Sequence, residues 1–204
     1  MSTLVMVERD GIGCMAADTL VSFDGCGESA RYLERPEKIL KRNEACFGVV
    51  GLRAHQHVLD SLLRGGLEVP EFRSEAEVFE FSRGLHERLK NNYFLVPDTD
   101  DNAYESSRMT IGVLTRHGIF VLFHDRCVIQ YRRFTALGSG SRLALGAMYA
   151  AYELGLPADE VARLGVEAGI EFDPSSAAPI TLERVELAVG RSVCRPATAA
   201  RGGR

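Results

Sequence analysis

Apolar residues in the first part of the chain fall in two short runs, Thr3-Leu4-Val5-Met6-Val7 and Ile12-Gly13-Cys14-Met15-Ala16, separated by Glu8-Arg9-Asp10-Gly11. Asp-Gly between two such runs is a tight-turn signal, so this stretch predicts a β-hairpin. Residues 22–35 are polar and Gly-containing and predict a loop. Two further strands are predicted at Lys38–Lys41 and Ala45–Val50, joined by Arg42-Asn43-Glu44.

The period then changes to that of a helix. Over 53–64 it places Val58, Leu59, Leu62 and Leu63 on one face. Ser74-Glu75-Ala76-Glu77 is a capping box and predicts a helix to about Asn91, with Val78, Phe79, Phe81 and Leu85 inward. The acidic, turn-rich stretch 95–107 predicts a loop. Met109–Leu114 and Ile119–His124 form a second hairpin around Arg116-His117-Gly118, and Cys127–Leu137 adds strand. Helices follow at about 141–154 and 158–171, with Pro157 at the start of the second. Residues 180–189 fit helix or strand, and the tail at 191–204 has a disordered composition. Paired helices between antiparallel strands predict one α+β domain over residues 1–190, two sheets face to face with helices outside.

Composition narrows the function. Among 204 residues, 24 basic against 28 acidic give a net charge of −4, which argues against nucleic-acid binding driven by net charge. No apolar run is long enough to span a bilayer, and the start lacks a secretory pattern. Five scattered cysteines without a CxxC pair fit reduced thiols and a cytoplasmic location. His55 and His57, two apart on a helix, do not share a face and are read as surface residues rather than metal ligands.

Five motifs then stand in order: Ser2 with Asp18 sixteen positions downstream, Pro36-Glu37-Lys38-Ile39-Leu40, Phe47-Gly48-Val49-Val50-Gly51, Gly138-Ser139-Gly140, and Asp173-Pro174-Ser175-Ser176. Together they resemble the proteasome β-subunit family over residues 2–190, most closely the bacterial HslV-type peptidases. Serine where threonine is usual, and a longer loop between Asp18 and Lys38, resemble the betaproteobacterial proteasome homologues. The resemblance implies an αββα four-layer N-terminal nucleophile hydrolase sandwich.

It also implies a catalytic set. Ser2 becomes the first residue once Met1 is removed, which its small side chain permits. Its hydroxyl would attack and its α-amine would serve as base, since no Ser-His-Asp constellation is suggested and an α-amine titrates near neutrality. Lys38 would lower the hydroxyl pKa, Asp18 would hold Lys38, and the Gly51 N–H would be the oxyanion donor. Ser139, Asp173 and Ser176 would hydrogen-bond the amine and one another. Val21, Leu40, Val49 and Arg53 would border the pocket for the residue before the scissile bond, and three apolar members predict a mild hydrophobic preference there.

The implied partners are identical subunits in a double ring of six or seven per ring, with peptides or unfolded proteins as substrates. An ATP-driven unfoldase accompanies HslV-type enzymes, but no docking surface for one is legible in this chain. Peptide hydrolysis requires no cofactor. The family admits a monovalent or magnesium ion on backbone carbonyls, matching Gly169, Phe172 and Ser175, but carbonyl ligands leave no sequence trace and no site is assigned. Two rival readings stand beside the peptidase: a catalytically silent ring-forming homologue, and an N-terminal nucleophile amidase of small molecules.

Overall fold

A computed structural model describes residues 2–23, 26–93 and 105–188. The N-terminal hairpin pairs β1 (Leu4–Arg9) with β2 (Ile12–Asp18). Asp10 and Gly11 both have positive φ, 49° and 78°, as a two-residue type I′ turn requires. Leu4 and Met6 of β1 enter one core while Val5 and Val7 enter another. A strand buried on both faces shows a continuous apolar run instead of alternation, which is how its sequence reads.

The expected loop 22–35 carries more structure than its polarity suggests. It holds a small hairpin, β3 (Val21–Phe23) with β4 (Cys26–Glu28), and a 3₁₀ turn at Ala30–Tyr32. The residues of β4 are exposed, so no apolar alternation marks it. Beyond lie β5 (Ile39–Arg42), β6 (Ala45–Val50), α1 (Arg53–Arg64) and α2 (Glu75–Asn92). Ser74 caps α2 by accepting the Glu77 N–H, but the Glu77 carboxylate accepts from the Arg73 N–H, so the box closes one residue early. Val78, Phe81 and Leu85 are buried, whereas Phe79, expected inward, is exposed.

The second half continues with β7 (Thr110–Thr115), β8 (Gly118–Leu122), β9 (Val128–Tyr131) and β10 (Phe134–Leu137), then α3 (Ser141–Glu153), α4 (Ala158–Phe172) and β11 (Ile180–Glu186). The strand expected within Cys127–Leu137 is present as two, split at Arg133, whose φ of 72° turns the chain so that the second joins the other sheet. The ambiguous segment at 180 is a strand because β2 has a free edge to pair with it.

Two antiparallel sheets result, ordered β10-β1-β2-β11 and β5-β6-β7-β8-β9. Three apolar cores fill the gaps of four layers. One lies between α1/α2 and the larger sheet, with Phe47, Phe72 and Phe120. Another joins the sheets through Leu4, Met6, Met15, Leu114 and Val121. The third seats α3 and α4 on the smaller sheet through Val5, Val7, Met148 and Val166. Each large apolar side chain buried this way contributes about 1.5–3 kcal/mol. This is the αββα sandwich. The four described cysteines are free, and burial pushes the Cys14 and Cys46 thiols up to about 11. The C-terminal tail and most of the acidic 95–107 loop lie outside the described residues.

Candidate active site

Hairpin arithmetic brings Asp18 to the chain start. Leu4 pairs with Ala17, so Thr3 falls opposite Asp18 and Ser2 one step beyond. The Thr3 N–H donates to Asp18 Oδ1 at 3.0 Å, and the Asp18 N–H donates back to the Thr3 carbonyl at 3.1 Å. The other carboxylate oxygen accepts the N–H groups of Leu20 (3.0 Å) and Ala177 (3.2 Å). Asp18 is fully buried, and its two oxygens are fixed by backbone from three segments.

Lys38 precedes β5, and its carbonyl accepts the Val49 N–H of β6 at 3.4 Å. Its ammonium donates to Asp18 Oδ1 at 2.7 Å with side-chain exposures of 7% and 0%. A buried pair of this kind persists because further hydrogen bonds satisfy the carboxylate. Burial lowers the Lys38 pKa below the usual lysine value, with Asp18 opposing the shift and Arg53 adding to it.

A second network lies beneath Ser2. Ser139, in the turn from β10 to α3, donates to Asp173 Oδ2 at 2.6 Å, and Ser176 donates to the same oxygen at 2.9 Å. Asp173 ends α4, and Pro174 after it holds it extended. Burial alone would raise the Asp173 pKa, but the two hydroxyls and the Ser175 N–H outweigh it and hold it below the ordinary carboxylate value. Ser176 also shares a 2.7 Å hydrogen bond with Thr3 Oγ1, and the Ser2 carbonyl accepts from Ser139 Oγ and the Gly140 N–H, each at 3.4 Å. Gly140, not Ser139, is the N-cap of α3. The Gly169 carbonyl accepts the Asp173 N–H at 2.8 Å as part of the α4 terminus.

The glycines of Gly138-Ser139-Gly140 admit the chain start. A Cβ on Gly138 would lie 2.0 Å from the Ser2 carbonyl oxygen, and Gly138 has φ +92°. Gly138→Ala is therefore expected to cost about 2 kcal/mol or more, lowering Tm by roughly 4–8 °C. Gly84→Ala on α2, where a Cβ meets nothing, is expected to raise Tm instead. Thermal unfolding of both variants checks the contrast.

A cavity of about 90 Å³ opens on the other side of Ser2. Lys38, Val21, Val49, Gly51 and Arg53 border it, together with Leu20, Ser22, Leu52 and Gln56. Gly51 has φ +119° and carries the chain from β6 into α1. Leu40, expected at this pocket, is not among its walls: it packs partly buried against the core under α1 and α2. It shares a strand face with Lys38, but two residues of rise, roughly 7 Å, carry it past the cavity. Sequence reasoning missed Gln56, a buried amide on the first turn of an otherwise amphipathic helix, which is itself a signal of polar work. Leu20 and Leu52 lie between elements and Ser22 on the short strand β3, and none of them left a comparable signal.

Two solved structures of the Thiobacillus denitrificans BPH are each 37% identical to this chain. The complex with epoxomicin has a TM-score of 0.84 and covers 91% of this chain and 99% of that one; the other structure has 0.85, 92% and 99%. The eukaryotic HslV from Trypanosoma brucei shares the fold at a TM-score of 0.65 and 18% identity, covering 90% of this chain and 99% of that one. No protein-family model and no curated protein matches the chain. The likeness at 37% identity covers nine-tenths of this chain and nearly all of that one, and the chain belongs to the proteasome/HslV-type family of N-terminal nucleophile peptidases, in the branch of the bacterial proteasome homologues.

Proposed function

We propose that this chain is a self-compartmentalising endopeptidase in which Ser2, made the first residue by removal of Met1, is both nucleophile and base. The observation that carries the proposal is the shared cavity: Ser2, Lys38 and Gly51 border one space, with Asp18 locked behind Lys38 at 2.7 Å. The Ser2 hydroxyl attacks the peptide carbonyl while its proton passes to the free α-amine. The Lys38 ammonium favours the developing alkoxide, and the Gly51 N–H receives the oxyanion. Collapse breaks the C–N bond, the amine returns the proton to the leaving group, and an ester on Ser2 remains. Water activated by the same amine then hydrolyses that ester. Asp173, anionic and hydrogen-bonded by Ser139 and Ser176, orients the amine.

Thr3 is a poor rival as nucleophile. Its side chain is fully buried and its hydroxyl is bound to Ser176. Enclosure of the sites in a double ring of six or seven identical subunits, in the cytoplasm, is part of the proposal. It is supported by α3, which leaves Leu143, Leu145 and Tyr149 exposed on a single chain. No described helix is long and apolar enough to cross a membrane. Substrates are peptides or unfolded chains, and no unfoldase, nucleic acid, metal or cofactor is assigned.

Intact mass measurement followed by a peptide epoxyketone tests the reading. The expected result is loss of Met1 and one adduct bridging the Ser2 oxygen and nitrogen. A processed protein that takes no label would overturn it.

A further inference from the structure

The cavity beside Ser2 has apolar walls at Leu20, Val21, Val49 and Leu52, and it also carries charge. Leu40 is withdrawn from it, and the ionisable side chains on its walls are Lys38 and Arg53, both cationic. Lys38 is neutralised by Asp18 at 2.7 Å. Arg53 pairs with no carboxylate among the described residues. Its guanidinium instead donates to three neutral acceptors: Nη1 to the Glu37 carbonyl (3.3 Å) and to Gln56 Oε1, and Nη2 to the Arg35 carbonyl. Gln56 in turn donates to the Glu37 carbonyl.

These contacts fix Arg53 without discharging it. A guanidinium carries five N–H donors, so the three contacts leave Nε–H and one Nη2–H for another acceptor. A carboxylate meets such a planar pair of donors better than any neutral group does. The charge is felt inside the site, since Arg53 is one of the groups that lower the Lys38 pKa. The volume suits a short or medium side chain.

We propose that Arg53 makes this cavity a recognition pocket for an acidic side chain, aspartate or glutamate, on the residue preceding the scissile bond. The inference rests on the catalytic reading above and adds the substrate class. It also gives Gln56 a role as a positioning residue that holds the guanidinium at the wall.

The test uses Met1-processed protein and three fluorogenic peptides identical except for Glu, Leu or Arg before the cleaved bond. The readout is the ratio of kcat/KM values, which does not depend on the active fraction of a preparation. Glu is expected to exceed Leu by roughly tenfold or more. Arg53→Gln should bring that ratio to about one or below. Arg53→Lys keeps the charge but loses the planar fork, and should retain part of the preference, which guards against a folding defect in the first variant. Faster cleavage after Leu than after Glu in the unmodified chain would overturn the proposal, as would a ratio unchanged in Arg53→Gln. Epoxyketone labelling of Ser2 separates the two levels. Labelling together with a Leu preference overturns the pocket assignment alone; neither labelling nor cleavage of any peptide overturns the catalytic reading and the pocket with it.

Discussion

Ser2→Ala is expected to lower kcat/KM for peptide hydrolysis by at least about 10³-fold and to abolish the epoxyketone adduct, with little change in Tm. Alanine is also small enough to permit Met1 removal, so the variant keeps the α-amine and loses only Oγ. Ser2 is positioned through its carbonyl, which the Gly140 N–H and Ser139 Oγ hold, and that placement does not need the hydroxyl. Ser2→Thr supplies the opposite arm. The added methyl restricts χ1, so the hydroxyl spends less time away from the attack geometry and kcat should be maintained or raised. Activity retained in Ser2→Ala would move the nucleophile elsewhere, and Thr3 would first have to give up its hydrogen bond to Ser176.

The hairpin itself was legible in the sequence, and its arithmetic carries Asp18 to the chain start; the role of Asp18 came from the family resemblance. Once Asp10-Gly11 is the turn, every cross-strand pair follows: Leu4 meets Ala17, Thr3 falls opposite Asp18, and Ser2 lies one step beyond. The helical face of α1 is likewise a local periodicity, readable within one element. Phe79 follows Val78 by one residue, about 100° around the helix, and so falls outside the face that Val78, Phe81, Leu85 and Leu89 bury. What was not legible depends on bends and on distant partners. The break at Arg133 is invisible to periodicity because the residues on both sides are strand-like and only the sheet they join differs. Pocket walls are harder still. Lys38 and Leu40 alternate onto the same face, and the distance along β5 decides which of them meets Ser2. The hydrogen bonds of Asp18 to Leu20 and Ala177 are backbone donors, and backbone donors carry no residue type to read.

Lys38→Met is expected to abolish activity and also to destabilise the fold by about 3–5 kcal/mol, the usual cost of leaving one member of a buried ion pair alone. Asp18 is fully buried and would keep only its backbone donors. Loss of activity in this variant therefore has two explanations, and a double variant separates them. Asp18→Asn with Lys38→Met removes both charges, so it should recover much of the lost stability while activity stays lost. Recovery of both would show that Lys38 acts only by supporting the fold. The pH profile of the unmodified enzyme gives an independent reading. Activity requires a neutral Ser2 amine and a charged Lys38, so the rate should rise as the amine deprotonates and fall as Lys38 does. Because burial lowers the Lys38 pKa, the alkaline limb should lie below the ordinary lysine value near 10.4. Labelling by the epoxyketone, followed against pH, tracks the same two groups without a turnover step. In Lys38→Met any residual labelling should lose its alkaline limb. Its acid limb should move to higher pH, because removing a neighbouring cation lets the amine hold its proton more tightly. An alkaline limb unchanged in that variant would assign it to another group and remove Lys38 from the chemistry.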